Sequence, residues 1–251
     1  MKSLLIFVHY SKGAVIPPDI KKYVLELAPH FSDVIISTNY KGPSFGNVKV
    51  MSFKNEGYDF GLFYRALQKV DIKEYERIAF VNDSNVLVGS FKKVFKWGNE
   101  NKCEMWGLTD SQESPPALKG KDTYHIQSHF MILEKKAITL LPIFFKNINF
   151  EKYLTASNNA LRVKIINNCE IGLSQFMLNK GVKLGSYFSV KDKASPNFIF
   201  ANYRHNVHVY KWEELIKGGY PLIKRKLVEG AWAFVPNWKR CYKYKKDERK
   251  K

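Results

Sequence analysis

Glu76-Arg77-Ile78-Ala79-Phe80-Val81-Asn82-Asp83-Ser84 decides how this chain is read. Four apolar residues run without alternation and then give way to Asn, Asp and Ser. Such a run, bounded by turn formers, reads as a strand buried on both faces, and strands of that kind belong to parallel sheets covered by helices. Upstream, SLLIFVHY (3–10) reads as a first strand, and PPDIKKYVLELAPH (17–30) as a helix opened by prolines. FSDVIISTN (31–39) and VKVMSFKNE (48–56) read as two more strands, and GLFYRALQKV (61–70) carries apolar residues at helical spacing. The order β-α-β-β-α-β predicts an α/β domain of Rossmann type, with a central, mainly parallel mixed sheet flanked by helices. Ligands bind such sheets beyond the carboxyl ends of the strands.

Downstream, CEMWGLTD (103–110), YHIQSHFMILEK (124–135) and VKLGSYFSV (182–190) read as strands. Residues 134–146 and 151–165 read as helical, as does CEIGLSQFMLNKG (169–181), where Glu170 opens an amphipathic helix that stops at Gly181. The only compositional break falls near residue 235. The expected organisation is one domain over residues 1–234 and a basic tail over 235–251.

With 45% hydrophobic and 15% aromatic residues the chain can bury a sizeable core, which excludes wholesale disorder. Its N-terminal apolar run is short and lacks a small-x-small cleavage site, so it reads as a buried strand rather than a signal peptide. No stretch approaches the ~20 apolar residues of a bilayer span. Three scattered cysteines without metal-ligand spacing argue against structural zinc and suit a reducing cytoplasm. The net charge of +18 requires an anionic partner. The segment NWKRCYKYKKDERKK (237–251) mixes basic and aromatic residues, as segments at an anionic membrane face do, or else forms a solvated tail. No helix-turn-helix, zinc-finger or RNP pattern accompanies the charge, so nucleic acid is not an expected partner.

Five segments can carry chemistry, and each has a structural alternative. Asn82-Asp83-Ser84 ends a strand at the ligand edge, where a carboxylate can hold a divalent ion against a diphosphate; the same tripeptide also favours turns. Asn55-Glu56-Gly57-Tyr58-Asp59-Phe60-Gly61 precedes a helix whose free N–H groups suit a phosphate, with Asp59 and Tyr58 placed to meet a base or sugar, or else it caps that helix. Trp106 and Asp110 suit sugar recognition, or a core. If residues 125–130 form one strand, His125, Gln127 and His129 share a face, either lining a cleft or exposed. Glu170 is a general-base candidate, or a carboxylate favoured by a helix dipole.

In this order, NEGYDFG (55–61), NDS (82–84), WGLTDS (106–111), HIQSHF (125–130), CEIGLS (169–174) and GYPLIKRKL (219–227) resemble the rhamnan synthesis protein F family of polysaccharide glycosyltransferases over about residues 4–230. The resemblance implies a GT-A-like fold and transfer of rhamnose or another hexose from a nucleoside-diphosphate donor to a saccharide acceptor, possible targets being bacterial lipopolysaccharide or capsule. It assigns nucleotide contacts to Asn55, Gly57, Tyr58, Asp59, Asn82, Asp83, Ser84, Lys224 and Arg225. A Mg²⁺ or Mn²⁺ ion falls to Asp83, and the catalytic base to Glu170. Trp106, Asp110, His125 and Gln127 are expected to shape the sugar or acceptor pocket. A lipid-linked acceptor would place the enzyme in the cytoplasm, at the inner face of the plasma membrane. The alternative is a non-catalytic carbohydrate- or nucleotide-binding protein on the same fold.

Overall fold

The computed structural model describes residues 1–241 apart from 12, 14, 199–202, 204 and 236. Residues 242–251, most of the expected basic tail, lie outside the described residues. The strands are β1 (Ser3–His9), β2 (Asp33–Thr38), β3 (Val48–Ser52), β4 (Arg77–Asn82), β5 (Asn85–Leu87), β6 (Met105–Ser111), β7 (His125–Ile126), β8 (Phe130–Glu134), β9 (Leu184–Ser189), β10 (Asn197–Phe198) and β11 (Leu222–Lys224). The helices are α1 (Pro18–Leu27), α2 (Tyr58–Leu67), α3 (Lys92–Glu100), α4 (Lys135–Asn147), α5 (Asn159–Ile165), α6 (Gly172–Asn179), α7 (Val207–Tyr210), α8 (Trp212–Lys217) and α9 (Arg225–Val228).

The central sheet runs β10-β9-β6-β8-β4-β1-β2-β3, with β7 beside β6. Within that path β8 is antiparallel to both neighbours and the other pairs are parallel. This is the mixed, mainly parallel sheet expected from the buried apolar runs. β1 shows why: Leu4, Ile6 and Val8 pack with α2, α4 and α6, while Leu5 and Phe7 pack with α1 and α3. Because β1, β2 and β4 are parallel and in register, His9, Thr38 and Asn82 finish at one edge. A separate antiparallel ribbon pairs β5 with β11, setting Asn85 opposite Lys224 and returning the chain's later part to that edge.

Three expectations are corrected. Residues 124–135 are two strands, not one. Asp110 pairs with Ile126 but Gly107 with Met131, so residues 127–130 face only 108–109 on β6. This wide bulge arises where Ile126 packs on Gly107; a Cβ there would lie 2.2 Å from Ile126 Cγ2. Glu170 does not open a helix, because α5, a π-helical turn over Ile166–Ile171 and α6 form one continuous helix with right-handed backbone throughout the joins. The packed unit also continues past residue 234, since Val235 and Cys241 are buried against Val86, Trp212 and Leu227. Among the described residues no helix is long and apolar enough to cross a membrane.

Candidate functional site

Above the carboxyl ends of β4 and β7 lies a cleft of about 720 Å³, bounded by α2, the 127–129 bulge, the π turn and Lys224. A π turn inside an α-helix commonly marks a functional site, and here it aims Glu170 into the cleft. Glu170 Oε1 accepts from both the backbone N–H and the hydroxyl of Ser128, each at 2.9 Å. That grip leaves Oε2 without a protein partner among the described residues, in a residue that lines the cleft.

Asp59 enters from the first turn of α2 and accepts from Asn82 Nδ2 at 2.7 Å. Burial, then the neighbouring charges of Asp83 and Glu170, push its carboxyl up to about 7. Lys224 arrives on β11, and burial pushes its ammonium down to about 8 against the opposing pull of Glu170 and Asp59. Its Nζ lies 3.4 Å from Ser84 Oγ. Two carboxylates and one lysine thus meet in one recess, and a third carboxylate, Asp83, acts on Asp59 from beside it.

The glycines that frame α2 serve backbone packing. Gly57 caps the helix with φ 73°, and a Cβ on Gly61 would sit 1.8 Å from the Glu56 carbonyl. Tyr58 is also left-handed, at φ 52°, which is unusual for a bulky residue, and its hydroxyl donates to the Asn158 carbonyl at 2.9 Å. Tyr58 and Asp59 reach the cleft; half-buried Asn55 and buried Gly57 do not line it.

At the same edge, Asn82 Oδ1 accepts from the Ser84 N–H, which fixes the turn. Asp83 Oδ2 lies 2.6 Å from His9 Nδ1 and accepts from the Tyr10 N–H at 3.2 Å. Asp83 therefore stands beside the cleft, over the ends of β1 and β4. Among the described residues no group of three or more His, Cys, Asp or Glu is placed to hold a metal ion. Mg²⁺ sites often use one or two carboxylates completed by substrate phosphates and water, and Asp83 with Asp59 fits that pattern rather than an all-protein cage.

Several expected site residues are placed elsewhere. Trp106 is fully buried among Phe95, Trp97 and Phe130, with Nε1 donating to Glu134 at 3.0 Å; it is core, not a sugar platform. Asp110 is equally buried, accepting from Ser189 Oγ, from the Val190 N–H at 2.7 Å and from Tyr124 Oη at 3.1 Å. No oxygen of it is left for a sugar. Arg225 turns from the cleft: its Nε donates to the Asp83 carbonyl at 3.0 Å and its guanidinium pairs with Asp19 at 2.5 Å, so it braces the 82–84 turn against α1. His125 and Gln127 do line the cleft. His125 donates from Nδ1 to the Thr123 carbonyl at 2.7 Å, which fixes the orientation of its ring.

Sequence reasoning missed His9, whose only signal was a polar residue at the end of a buried strand. It assigned Ser128 to the opposite face because alternation hides a bulge. It also missed the apolar rim of Val163, Tyr210 and Phe234, exposed by 52%, 49% and 70%.

The α/β fold and a cleft at the strand ends, walled by carboxylates and a lysine, define a ligand-binding domain. The profile of rhamnan synthesis protein F matches residues 47–235, and the chain belongs to that family. It is 27% identical over 203 residues to virulence protein VirA of Vibrio anguillarum, covering 70% of this chain and 60% of that protein. The chain thus matches less than two thirds of this curated relative's length. Among solved structures it is similar to galactosyltransferase LgtC with donor and acceptor sugar analogues (11% identity, 96% of this chain and 94% of that one, TM-score 0.48). It is also similar to a Bacillus anthracis protein assigned as a glucose-1-phosphate thymidylyltransferase (11% identity, 81% and 97%, TM-score 0.47).

Proposed function

We propose that the protein is a glycosyltransferase that moves a sugar from a nucleoside-diphosphate donor to a saccharide acceptor in bacterial surface polysaccharide synthesis, with inversion at the anomeric carbon. The observation that carries this reading is Glu170: one oxygen is pinned by Ser128 while the other is left to a cleft that also holds Lys224 and Asp59. The acceptor hydroxyl gives its proton to Glu170 Oε2 as its oxygen attacks the anomeric carbon. The bond from that carbon to the diphosphate oxygen breaks, and its electron pair leaves with the nucleotide. Lys224 offsets the growing charge from inside a recess of low dielectric. A Mg²⁺ or Mn²⁺ ion held by Asp83, with Asp59 beside it, would add Lewis-acid stabilisation of the same oxygens. His9 positions Asp83, while His125 and Gln127 face the sugar.

The rim of Val163, Tyr210 and Phe234 suits an acceptor with an apolar carrier, which agrees with work at an anionic membrane surface. A thermal-shift screen of nucleoside diphosphates with and without Mn²⁺, followed by a donor-hydrolysis assay, tests the proposal. Ligands that bind only the native state raise the melting temperature. Binding without hydrolysis or transfer to any saccharide would favour a non-catalytic binding protein instead.

A further inference from the structure

Behind the cleft floor runs a set of buried polar side chains of which the proposed reaction uses only Gln127. Thr109 donates its hydroxyl to Gln127 Oε1 at 2.9 Å, and its oxygen lies 2.8 Å from His208 Nε2. Tyr220 Oη lies 2.9 Å from the same His208 nitrogen, 3.3 Å from His208 Nδ1 and 2.8 Å from His129 Nε2. All five residues are buried, and the set surfaces at Gln127 and His129, which line the cleft.

One member fixes the direction of both bonds at Thr109. An amide oxygen only accepts, so the Thr109 proton lies on the bond to Gln127. Thr109 oxygen must then accept from His208, which places the His208 proton on Nε2. Thr109 takes that single N–H, and of the two nitrogens then open to the Tyr220 proton, His208 Nδ1 at 3.3 Å and His129 Nε2 at 2.8 Å, the shorter contact takes it. With Nε2 accepting, the neutral His129 ring carries its proton on Nδ1. Burial holds both imidazoles well below the ordinary histidine range, helped by Lys224 in each case and by His129 in that of His208, so both are neutral. Gln127 Nε2 and His129 Nδ1 have no protein partner among the described residues, yet neither is sealed from solvent.

We infer that Gln127 and His129 form a pair of hydrogen-bond donors that read an accepting oxygen of the sugar in the cleft, with Thr109, His208 and Tyr220 behind them as positioning residues that fix the donor sense. The inference rests on the cleft being a sugar site. The chemistry recognised is an oxygen with lone pairs and no proton to place, which a uronic acid carboxylate or the carbonyl of an N-acylated amino sugar supplies. A sugar ammonium at the same position sets donor against donor and is refused.

Two measurements test this. In protein labelled with ¹⁵N-histidine, long-range ¹H–¹⁵N correlations read the tautomers directly. The expected result is His129 protonated on Nδ1 and His208 on Nε2, with the His129 preference lost in Tyr220→Phe and the His208 preference lost in Thr109→Val. A His129 ring protonated on Nε2 in the unaltered protein overturns the inference.

Calorimetric titration with uridine and thymidine diphosphate sugars bearing a carboxylate, an N-acetyl group or a free amine then identifies the group. The amine should bind at least about tenfold more weakly than the better of the other two, and whichever of those binds tighter names the source. Tyr220→Phe should weaken that sugar nucleotide by about tenfold while leaving the nucleoside diphosphate alone unchanged. Equal weakening of both ligands indicates a merely structural role and overturns the inference. If no sugar nucleotide binds, the glycosyltransferase reading and its ligand fall together, while the tautomers still judge the hydrogen-bond chain by itself.

Discussion

Replacing Glu170 by Gln separates chemistry from architecture, because an amide keeps what Ser128 needs. Gln Oε1 can accept from the Ser128 N–H and hydroxyl as Glu170 does, both now at 2.9 Å, so the side chain should hold its place. Only the oxygen facing the cleft changes, from a proton acceptor to an N–H₂ group. A positioned general base contributes roughly 10²- to 10⁴-fold, so kcat should fall by that factor, or about 3–5 kcal/mol at 1.36 kcal/mol per decade. A second effect follows from charge. The Glu170 carboxylate supports the ammonium of Lys224, so its removal should drive Lys224 below its present value of about 8. Glu170→Gln should therefore move the alkaline limb of nucleotide binding to lower pH, besides slowing transfer. The assay is single-turnover transfer alongside calorimetric nucleotide titration across pH 6–9. Near-unaltered turnover in the variant, with wild-type melting behaviour, would refute the assignment of the base.

Asp110→Ala should leave the Ser189 hydroxyl, the Val190 N–H and the Tyr124 hydroxyl unpaired in the core. At about 1–3 kcal/mol for each stranded group, thermal unfolding should come roughly 10 °C or more earlier, whereas a normal melting curve with weakened sugar binding would restore Asp110 to the pocket. Asp59 binds its proton more tightly when folded, so its contribution is complete below the ordinary carboxylate range and is lost as pH rises through about 7. Asp59→Asn should consequently gain stability relative to wild type between pH 5 and pH 8, which denaturant titrations at the two pH values will read. Gly61→Ala must displace the Glu56 carbonyl from 1.8 Å, so loss of both stability and nucleotide binding is expected by thermal shift. Asp83→Asn should reduce any Mn²⁺-dependent share of nucleotide affinity; an identical titration with and without the ion would remove Asp83 as its ligand.

Much of the sheet was legible because β1 and β4 are buried on both faces and carry apolar runs that match no exposed strand. Asp83 could be placed at the ligand edge for the same reason: the run stops there. Alternation failed at residues 127–129, where Gly107 lets Ile126 pack inward and the bulge turns Ser128 to the same side as Gln127. Glu170 was found but set in the wrong local structure, since a π turn has no period distinct enough to separate it from an α-helix start. Trp106 and Asp110 were misassigned because residue type is silent about depth: both suit a sugar, and both are satisfied by neighbours distant in sequence. His129 meets Tyr220 across 91 positions and Thr109 meets His208 across 99, and nothing in a single sequence signals such meetings.

The short β5–β11 ribbon has a consequence for biogenesis. Asp59 and Asp83 become available as soon as the first half of the chain has left the ribosome, and Glu170 follows, yet their cationic counterweight is delivered last, by a three-residue strand that must find its partner at Asn85–Leu87. Until that strand docks, Asp59 and Glu170 lack the charge of Lys224 beside them.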